Sequence, residues 1–196
     1  MCGKVMTILL TAAGLALAGC QAWNDTTGSS TPDQKAQARS EMNVKASETL
    51  ARLDSLRPGA RRSVESAAGY AVFTNYGLQI VTLGGGVGRG VAVNTRTGSR
   101  TYMRMVEAQA GIGLGARKIQ LVWVFDSEKK LNDFINKGWT LGAQGAASAA
   151  YDKQGAGLDG AVQIQPGVWI YQLTESGLAL ELTVQGSKYY KADELN

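Results

Sequence analysis

Glycine at every second position is the feature that most constrains the fold of this chain. Four glycines recur at a spacing of two from Gly84 to Gly90, and three more do so from Gly111 to Gly115. Because side chains in a β-strand alternate between two faces, each series lines one face of a strand. Glycine inside a strand marks a bend or the close approach of another group. The spacing therefore predicts a strongly curved sheet whose glycine face is covered tightly by a helix or by aromatic rings.

The same glycines do not form either of the common phosphate-binding loops. Residues 84–90 read Gly-Gly-Gly-Val-Gly-Arg-Gly. No register of this run gives the G-x-G-x-x-G pattern of dinucleotide-binding folds, and no Gly-Lys-Ser/Thr sequence follows it. A nucleotide cofactor is therefore not expected here.

Three helices are predicted from capping residues and apolar spacing. A hydroxyl cap at Thr31 followed by Pro32 begins an amphipathic helix over residues 33–56. Its four basic and four acidic residues favour packing on the domain over lodging in a membrane surface. The other two predicted helices span residues 60–68, capped by Gly69, and residues 127–137, capped by Ser127 and Gly138.

The remaining segments are rich in β-branched and aromatic residues and are separated by turn residues. The predicted strands are residues 70–74, 78–83, 87–93, 101–106, 119–125, 140–151, 161–165, 168–173, 178–184 and 187–190. Helices, strands, one inserted helix and more strands in this order indicate an α+β fold. We expect a strongly curved, mainly antiparallel, barrel-like sheet with N-terminal helices.

The N-terminus resembles a bacterial lipoprotein signal peptide. Lys4 precedes an apolar stretch over residues 5–16, and Leu17-Ala18-Gly19-Cys20 follows it. The stretch is too short for a membrane-spanning helix. This pattern predicts cleavage before Cys20 and acylation of its thiol with fatty acids such as palmitate. An ordinary secretory signal with an incidental cysteine is the alternative.

These features predict three segments: a signal peptide at residues 1–19, a flexible tether at 20–32, and one domain at 33–196 whose core spans about 57–190. The acylated cysteine would tie the protein to the bacterial envelope. Gln21 in place of Asp resembles the sorting signal for the outer membrane. We therefore expect an outer-membrane lipoprotein whose domain faces the periplasm or the cell surface.

Composition argues against an enzyme. The chain has no histidine, and its two cysteines are Cys2, which is lost with the signal, and Cys20, which is acylated. Serine–histidine and cysteine–histidine catalysis and most zinc sites need residues that are therefore missing. We expect a non-catalytic protein without a metal ion or a cofactor.

Charge is divided unevenly along the chain. Residues 57–118 carry nine basic and two acidic side chains, whereas residues 119–196 carry six and nine. A basic segment on a membrane-tethered protein points to anionic lipid headgroups or another polyanion. An ordinarily solvated surface is the alternative. Nucleic acid is not expected as a partner, because no recognition motif is present.

Four motifs in order resemble the SYLF (Ysc84-like) domain. They are AAGYAVF at 67–73, LGGGVGRGV at 83–91, AGIGLGA at 110–116 and VWVF at 122–125. Thr74 stands where the family usually has proline. The resemblance covers residues 56–190 and implies a lipid-binding module, which in eukaryotic members is associated with phosphoinositide membranes and actin. Bacterial members are commonly secreted or lipidated.

From the resemblance we expect binding to anionic membrane phospholipids. Actin is not expected as a partner, because the chain has no SH3 domain and an envelope lipoprotein normally meets no actin. The alternative is a structural or assembly lipoprotein that binds envelope proteins.

A hairpin turn at residues 94–99 gathers candidate headgroup ligands. If its loop has two or four residues, one sheet face carries Arg89, Val91 and Val93 from one strand and Arg100, Tyr102 and Arg104 from the next. With a loop of four residues, Arg89 lies opposite Arg104. An odd-length loop would separate them. Like charges that face each other suggest an anionic ligand, although the arginines could also be solvated or pair with distant acids. The predicted headgroup-binding residues are Arg89, Arg100, Tyr102 and Arg104, with a second basic group at Arg57, Arg61 and Arg62.

Overall fold

Two very long strands form the centre of the fold. The computed structural model describes residues 31–142, 158–179 and 186–196, without the side chains of 76–85 and 108–117. The predicted signal peptide and almost all of the predicted tether lie outside these residues. In chain order the elements are α1 (Pro32–Leu56), α2 (Ala60–Ser66), β1 (Gly69–Asn94), β2 (Arg100–Phe125), α3 (Glu128–Lys137), β3 (Trp139–Leu141), β4 (Val162–Gln165), β5 (Val168–Thr174), β6 (Gly177–Ala179), β7 (Ser187–Lys191) and a 3-10 turn (Asp193–Leu195).

All described strand pairs are antiparallel. β1 pairs with β2 along nearly its whole length, and the other edge of β2 is shared by β7 near its start and β5 near its end. β3 extends the sheet beyond β7, and the far edge of β5 is shared by β4 and β6. The predicted α+β fold with an antiparallel sheet is therefore confirmed.

β1 bends so strongly that its two halves lie side by side. The backbone amide of Thr95 donates a 3.3 Å hydrogen bond to the Ala68 carbonyl. A Cβ atom on Gly90 would lie 2.5 Å from the Val72 carbonyl oxygen. A Cβ atom on Gly86 would lie 2.6 Å from the side-chain amide of Asn75. Glycine at every second position thus leaves the room that this curvature needs, as the sequence predicted. The side chains around Gly84 and around residues 111–115 lie outside the described part.

Five predicted strands merge into two. The prediction placed breaks near Asn75-Tyr76-Gly77 and at the triple glycine, but pairing with β2 continues through both places. One shift in the pairing lies between Val81 and Leu83. Turn-forming residues are tolerated here because the partner strand continues to supply hydrogen bonds, which outweighs their weak strand preference.

The concave, inner face of the sheet packs against α3. Rings from four strands and from the helix cluster there, and Trp123 lies 4.8 Å from Tyr189 and 4.9 Å from Phe134 between ring centroids. Phe73 meets Tyr189 edge-on at 5.0 Å. α3 has the predicted apolar stripe, with Leu131 and Phe134 buried. This aromatic cluster covers the glycine face, because Gly90 lies under the Phe73 ring.

The outer face packs against α1 and α2. Thr31 caps α1 as predicted, and its side chain and that of Gln34 form a reciprocal capping box. Of the predicted apolar stripe, four residues are buried, but Leu56 is 40% exposed. Thr49 is buried instead, because it hydrogen-bonds both α1 and the sheet.

The second predicted helix is shorter than expected. α2 ends at Ser66, and Gly69 begins β1 rather than capping the helix, which corrects the prediction. The physical reason is a close approach: a Cβ atom on Gly69 would lie 2.9 Å from the Val93 carbonyl oxygen.

The later strands follow the predictions where the structure describes them. β4, β5 and β7 match their predicted ranges to within a residue. Of the strand predicted at 140–151, β3 contains the first two residues, and 143–151 lie outside the described part. The end of the strand predicted at 178–184 lies outside it too.

Candidate functional site

The hairpin between β1 and β2 has the register that brings the predicted arginines opposite each other. The amide of Asn94 donates to the Ser99 carbonyl at 3.0 Å, which closes a four-residue loop. The Asn94 side chain accepts hydrogen bonds from the next amides, and Gly98 adopts a positive φ of 72°. Arg89 therefore faces Arg104, as predicted for a loop of this length.

Helix α1 divides this predicted cluster. Between Arg100 and Arg104, Tyr102 lies under the helix, where the Asn43 side chain donates a 3.1 Å hydrogen bond to its hydroxyl. The guanidinium of Arg39 lies 5.9 Å from the centre of the Tyr102 ring. Val91, paired with Tyr102, is only 1% exposed. Tyr102 thus belongs to the contact between α1 and the sheet, and it separates Arg100 from the Arg89–Arg104 pair.

Arg104 has an acidic partner distant in sequence. Its guanidinium nitrogens lie 2.6 and 2.8 Å from one Glu194 oxygen, in the C-terminal 3-10 turn. This is the alternative that the sequence left open for these arginines. Arg89 is exposed on the neighbouring strand. Glu194 thus places a carboxylate next to the Arg89–Arg104 row.

The second predicted group lies around α2. Arg57 forms an ion pair with Asp159, and Arg61 pairs with Glu65 one turn along the helix at 2.8 Å. Arg62 is exposed. These pairs are largely solvent-exposed, so each contributes on the order of 0.2–1 kcal/mol at most.

Arg100 joins this second group rather than the first. Burial and, to a smaller extent, the Glu65 carboxylate raise the pKa of the Tyr70 phenol, whereas the charges of Arg100 and Arg61 lower it. Both guanidinium groups therefore act on the same half-buried phenol. Of the predicted residues, the structure thus brings Arg89 opposite Arg104, and Arg61 and Arg100 near Tyr70, while Arg57 acts on Tyr171.

One part of the outer face was not predicted from the sequence. We call it the open end, because helix α1 does not cover it. Beyond the line where α1 crosses the sheet, Val87 and Val106 form a cross-strand pair and are 52% and 38% exposed. Lys188 of β7 lies directly beside Val106. The alternation of Val87 with Arg89 and of Arg104 with Val106 was visible in the sequence, but the place where α1 crosses was not.

A buried polar pair lies on the inner face and was also missed. The Asn75 side chain donates a hydrogen bond to the Glu107 carboxylate by crossing over Gly86, which has no side chain to block it. Asn75 is 1% and Glu107 is 7% exposed. This contact joins the two halves of the bent hairpin from within.

No group of three or more histidine, cysteine, aspartate or glutamate side chains in the part of the chain that the structure describes is placed to hold a metal ion. Within the same residues, no helix is both long enough and apolar enough to cross a membrane. Cys20, the predicted acylation site, lies outside them.

The fold and the basic outer face define a small α+β binding domain, and the comparisons with known proteins identify its family. The family model described as "Ysc84: Las17-binding protein actin regulator" matches residues 106–196. Beta cell expansion factor A of Aeromonas veronii is 34% identical over 159 residues, covering 81% of this chain and 59% of that protein. The chain belongs to the Ysc84 (SYLF) family and spans less than two thirds of the length of this relative.

Proposed function

We propose that this protein is an envelope lipoprotein whose SYLF-family domain binds anionic phospholipids without catalysis. The observation that carries the proposal is the charge at the open end of the outer face. Arg89, Arg104, Lys118 and Lys188 lie on that face, accompanied by the carboxylate of Glu194. Cations near a membrane surface each contribute about 1 kcal/mol of attraction to anionic lipid.

Lys118 belongs to this group by the strand alternation of β2. Gln120, two residues further along, is on the outer face because its side-chain amide donates a 2.8 Å hydrogen bond to Thr49 of α1. Residues two apart in a strand share a face. Lys118 is exposed and lies two residues before the Gln120 contact with α1, on the same face of the sheet.

The region around Tyr70 is the second contact in this proposal. Arg61 and Arg100 are at most partly buried and act on the same phenol, and Arg62 is exposed next to Arg61 on α2. The ion pair of Arg61 with Glu65 is solvent-exposed and weak, so exchange of the carboxylate for a lipid phosphate costs little. We assign Arg57 to the same region, although it is paired with Asp159.

Vesicle flotation tests the proposal. The full chain carrying Cys20→Ser, which removes the acylation site, is mixed with neutral or anionic vesicles at several salt concentrations. We expect more binding to anionic than to neutral vesicles, with the difference shrinking as salt is raised. Because the apolar residues 5–16 can bind both vesicle types, the comparison is made at lipid concentrations where neither type binds all of the chain. Equal binding to both at every salt concentration would contradict the proposal.

Cys20 anchors the protein in this account. The support is the Leu-Ala-Gly-Cys sequence after an apolar stretch. Metabolic labelling with a palmitate analogue should mark the wild-type chain, and Cys20→Ala should abolish the label. Outer-membrane location is tested in the same cells by separating the two membranes. A labelled Cys20→Ala chain would show that acylation occurs elsewhere.

A protein partner is the second candidate function, because the matching family model is described as a Las17-binding actin regulator. For this chain that candidate is an envelope protein, since the predicted signal peptide would take it away from actin. Crosslinking in intact cells that persists at high salt would favour it. Actin cosedimentation, for which we expect no binding, tests the exclusion of actin.

A further inference from the structure

The open end of the outer face is an apolar pair with basic residues next to it in the described part of the sheet. Val87 pairs with Val106, and Val106 pairs with Lys188, so these three residues form one row across β1, β2 and β7. The next row contains Arg89, Arg104 and Tyr190 in the same order. All of these side chains point outward, because directly paired residues share a face.

Helix α1 leaves this row uncovered. The helix is tied to the sheet by Asn43 on Tyr102 and by Thr49 on Gln120, and both contacts lie on the far side of the Arg89–Arg104 row. As a result Val91 is 1% exposed, whereas Val87, four residues earlier on the same face, is 52% exposed. Among the described side chains, these paired valines are two of the four large exposed hydrophobic residues.

We propose that the Val87–Val106 pair is the point at which the domain enters an anionic membrane, with Arg89, Arg104 and Lys188 placed to contact lipid phosphates beside it. This inference rests on the proposed function and adds the contact surface and its orientation. The valines enter the boundary between headgroups and acyl chains, where the burial of apolar side chains is favourable. The basic side chains reach outward to the headgroups while their apolar stems lie along the sheet.

The charges favour a membrane over a second copy of this chain. In a two-fold dimer through this face, the same patch would meet itself, and the cations of one copy would face those of the other. Two valines also supply far less area than the roughly 800 Å² per partner that a stable protein interface needs. An anionic bilayer complements the charge and needs only a small apolar contact.

The test replaces both valines by threonine in the Cys20→Ser chain. Threonine keeps the β-branched shape and the strand preference of valine but carries a hydroxyl, so the strands should remain intact. The matched control is Val44→Thr with Leu56→Thr on α1, since these residues are 52% and 40% exposed, compared with 52% and 38% for the pair. Near-ultraviolet circular dichroism and the unfolding midpoint establish that each variant is folded.

We expect Val87→Thr/Val106→Thr to weaken flotation with anionic vesicles about fivefold, while the control stays within twofold of the parent. Val87→Leu/Val106→Leu, which enlarges the apolar pair, should strengthen it. If the threonine variant is folded and binds as the parent does, the inference is overturned and the proposed function stands. If the parent itself does not prefer anionic vesicles, both are overturned. Self-association without vesicles that the threonine variant abolishes would assign the patch to a second copy instead.

Discussion

Val91 and Val87 lie on the same strand and the same face of the sheet, yet one is buried and the other is open. Val91 is 1% exposed because α1 lies over it, and Val87 is 52% exposed because the helix crosses the sheet before reaching it. The two ends of the outer face thus have similar sequences and different surroundings. The covered end stabilises the fold, and we assign the membrane contact through the valine pair to the open end.

The same comparison explains why the predicted cluster of arginines is divided. At the covered end Tyr102 is held by Asn43 and Arg39 of α1, which leaves no room for a ligand. At the open end Arg89 and Arg104 remain next to exposed valines. The strand register brings Arg89 and Arg104 together, and the path of α1 over the sheet determines which side chains around them stay exposed.

The largest expected difference between the two ends is in stability. Leu53 of α1 is fully buried against the covered end. Leu53→Ala should lower the free energy of unfolding by about 2–5 kcal/mol, because it leaves a cavity. Val87→Ala at the open end should change it by less than about 0.5 kcal/mol. Urea denaturation of both variants measures this, and equal losses would mean that the two ends do not differ in packing.

The next effect concerns the bend that separates the two ends. A Cβ atom on Gly90 would lie 2.5 Å from the Val72 carbonyl oxygen and would also meet the Phe73 ring. Gly90→Ala should therefore cost about 1–3 kcal/mol through overpacking. Gly142→Ala is the control, because a Cβ atom there meets nothing within 4 Å. A Gly90→Ala chain as stable as the parent in thermal unfolding would contradict the account of the curvature.

The third prediction concerns the inner face, which both ends share: the folding stability should depend on pH in the alkaline range. Burial raises the pKa of the Tyr189 phenol above its ordinary value of 10.0. Because this pKa is raised, the protonated Tyr189 makes its full contribution to the free energy of unfolding below pH ~10. That contribution is lost as the pH rises towards the folded-state pKa, at up to about 1.4 kcal/mol per pH unit. Tyr189→Phe should reduce this loss between pH 9 and 11, as followed by urea denaturation. Parent and variant curves that stay parallel over this range would show that Tyr189 is not the group responsible.

The smallest expected effect is that of single charges at the open end. Arg89→Gln should reduce the preference for anionic vesicles by about fivefold at low salt, corresponding to about 1 kcal/mol. Arg96→Gln is the control, because Arg96 is exposed but lies in the hairpin turn and pairs with Glu128. Flotation over a salt series measures both. An equal loss in the two variants would indicate attraction by total charge rather than by this surface.

Much of the fold could be predicted because residues that are neighbours in the sequence determine where its helices end and its hairpin turns. The Thr31 cap, the glycine end of α3 and the hairpin turn depend on neighbouring residues, and each lies where the sequence placed it. The glycine series predicted the curvature for the same reason. The five short strands were wrong because strand length here is set by a partner strand, which the local sequence does not contain.

The candidate site was predicted only in part. The facing of Arg89 and Arg104 follows from the loop length and could be deduced. The pairing of Arg104 with Glu194, ninety residues away, could not, since it depends on where the C-terminal turn packs. The open valine pair was missed for the same reason: its exposure is decided by the path of α1 over the sheet.

The most direct test of the central claim compares the two valines of equal exposure. A polarity-sensitive dye is attached to a single cysteine at position 87 or 44 in the full chain, with Cys2 and Cys20 replaced by serine. Val44 on α1 and Val87 on β1 are both 52% exposed. The account predicts a blue shift of the dye emission with anionic vesicles for Val87→Cys and none for Val44→Cys. A shift at position 44 without one at position 87 would contradict it.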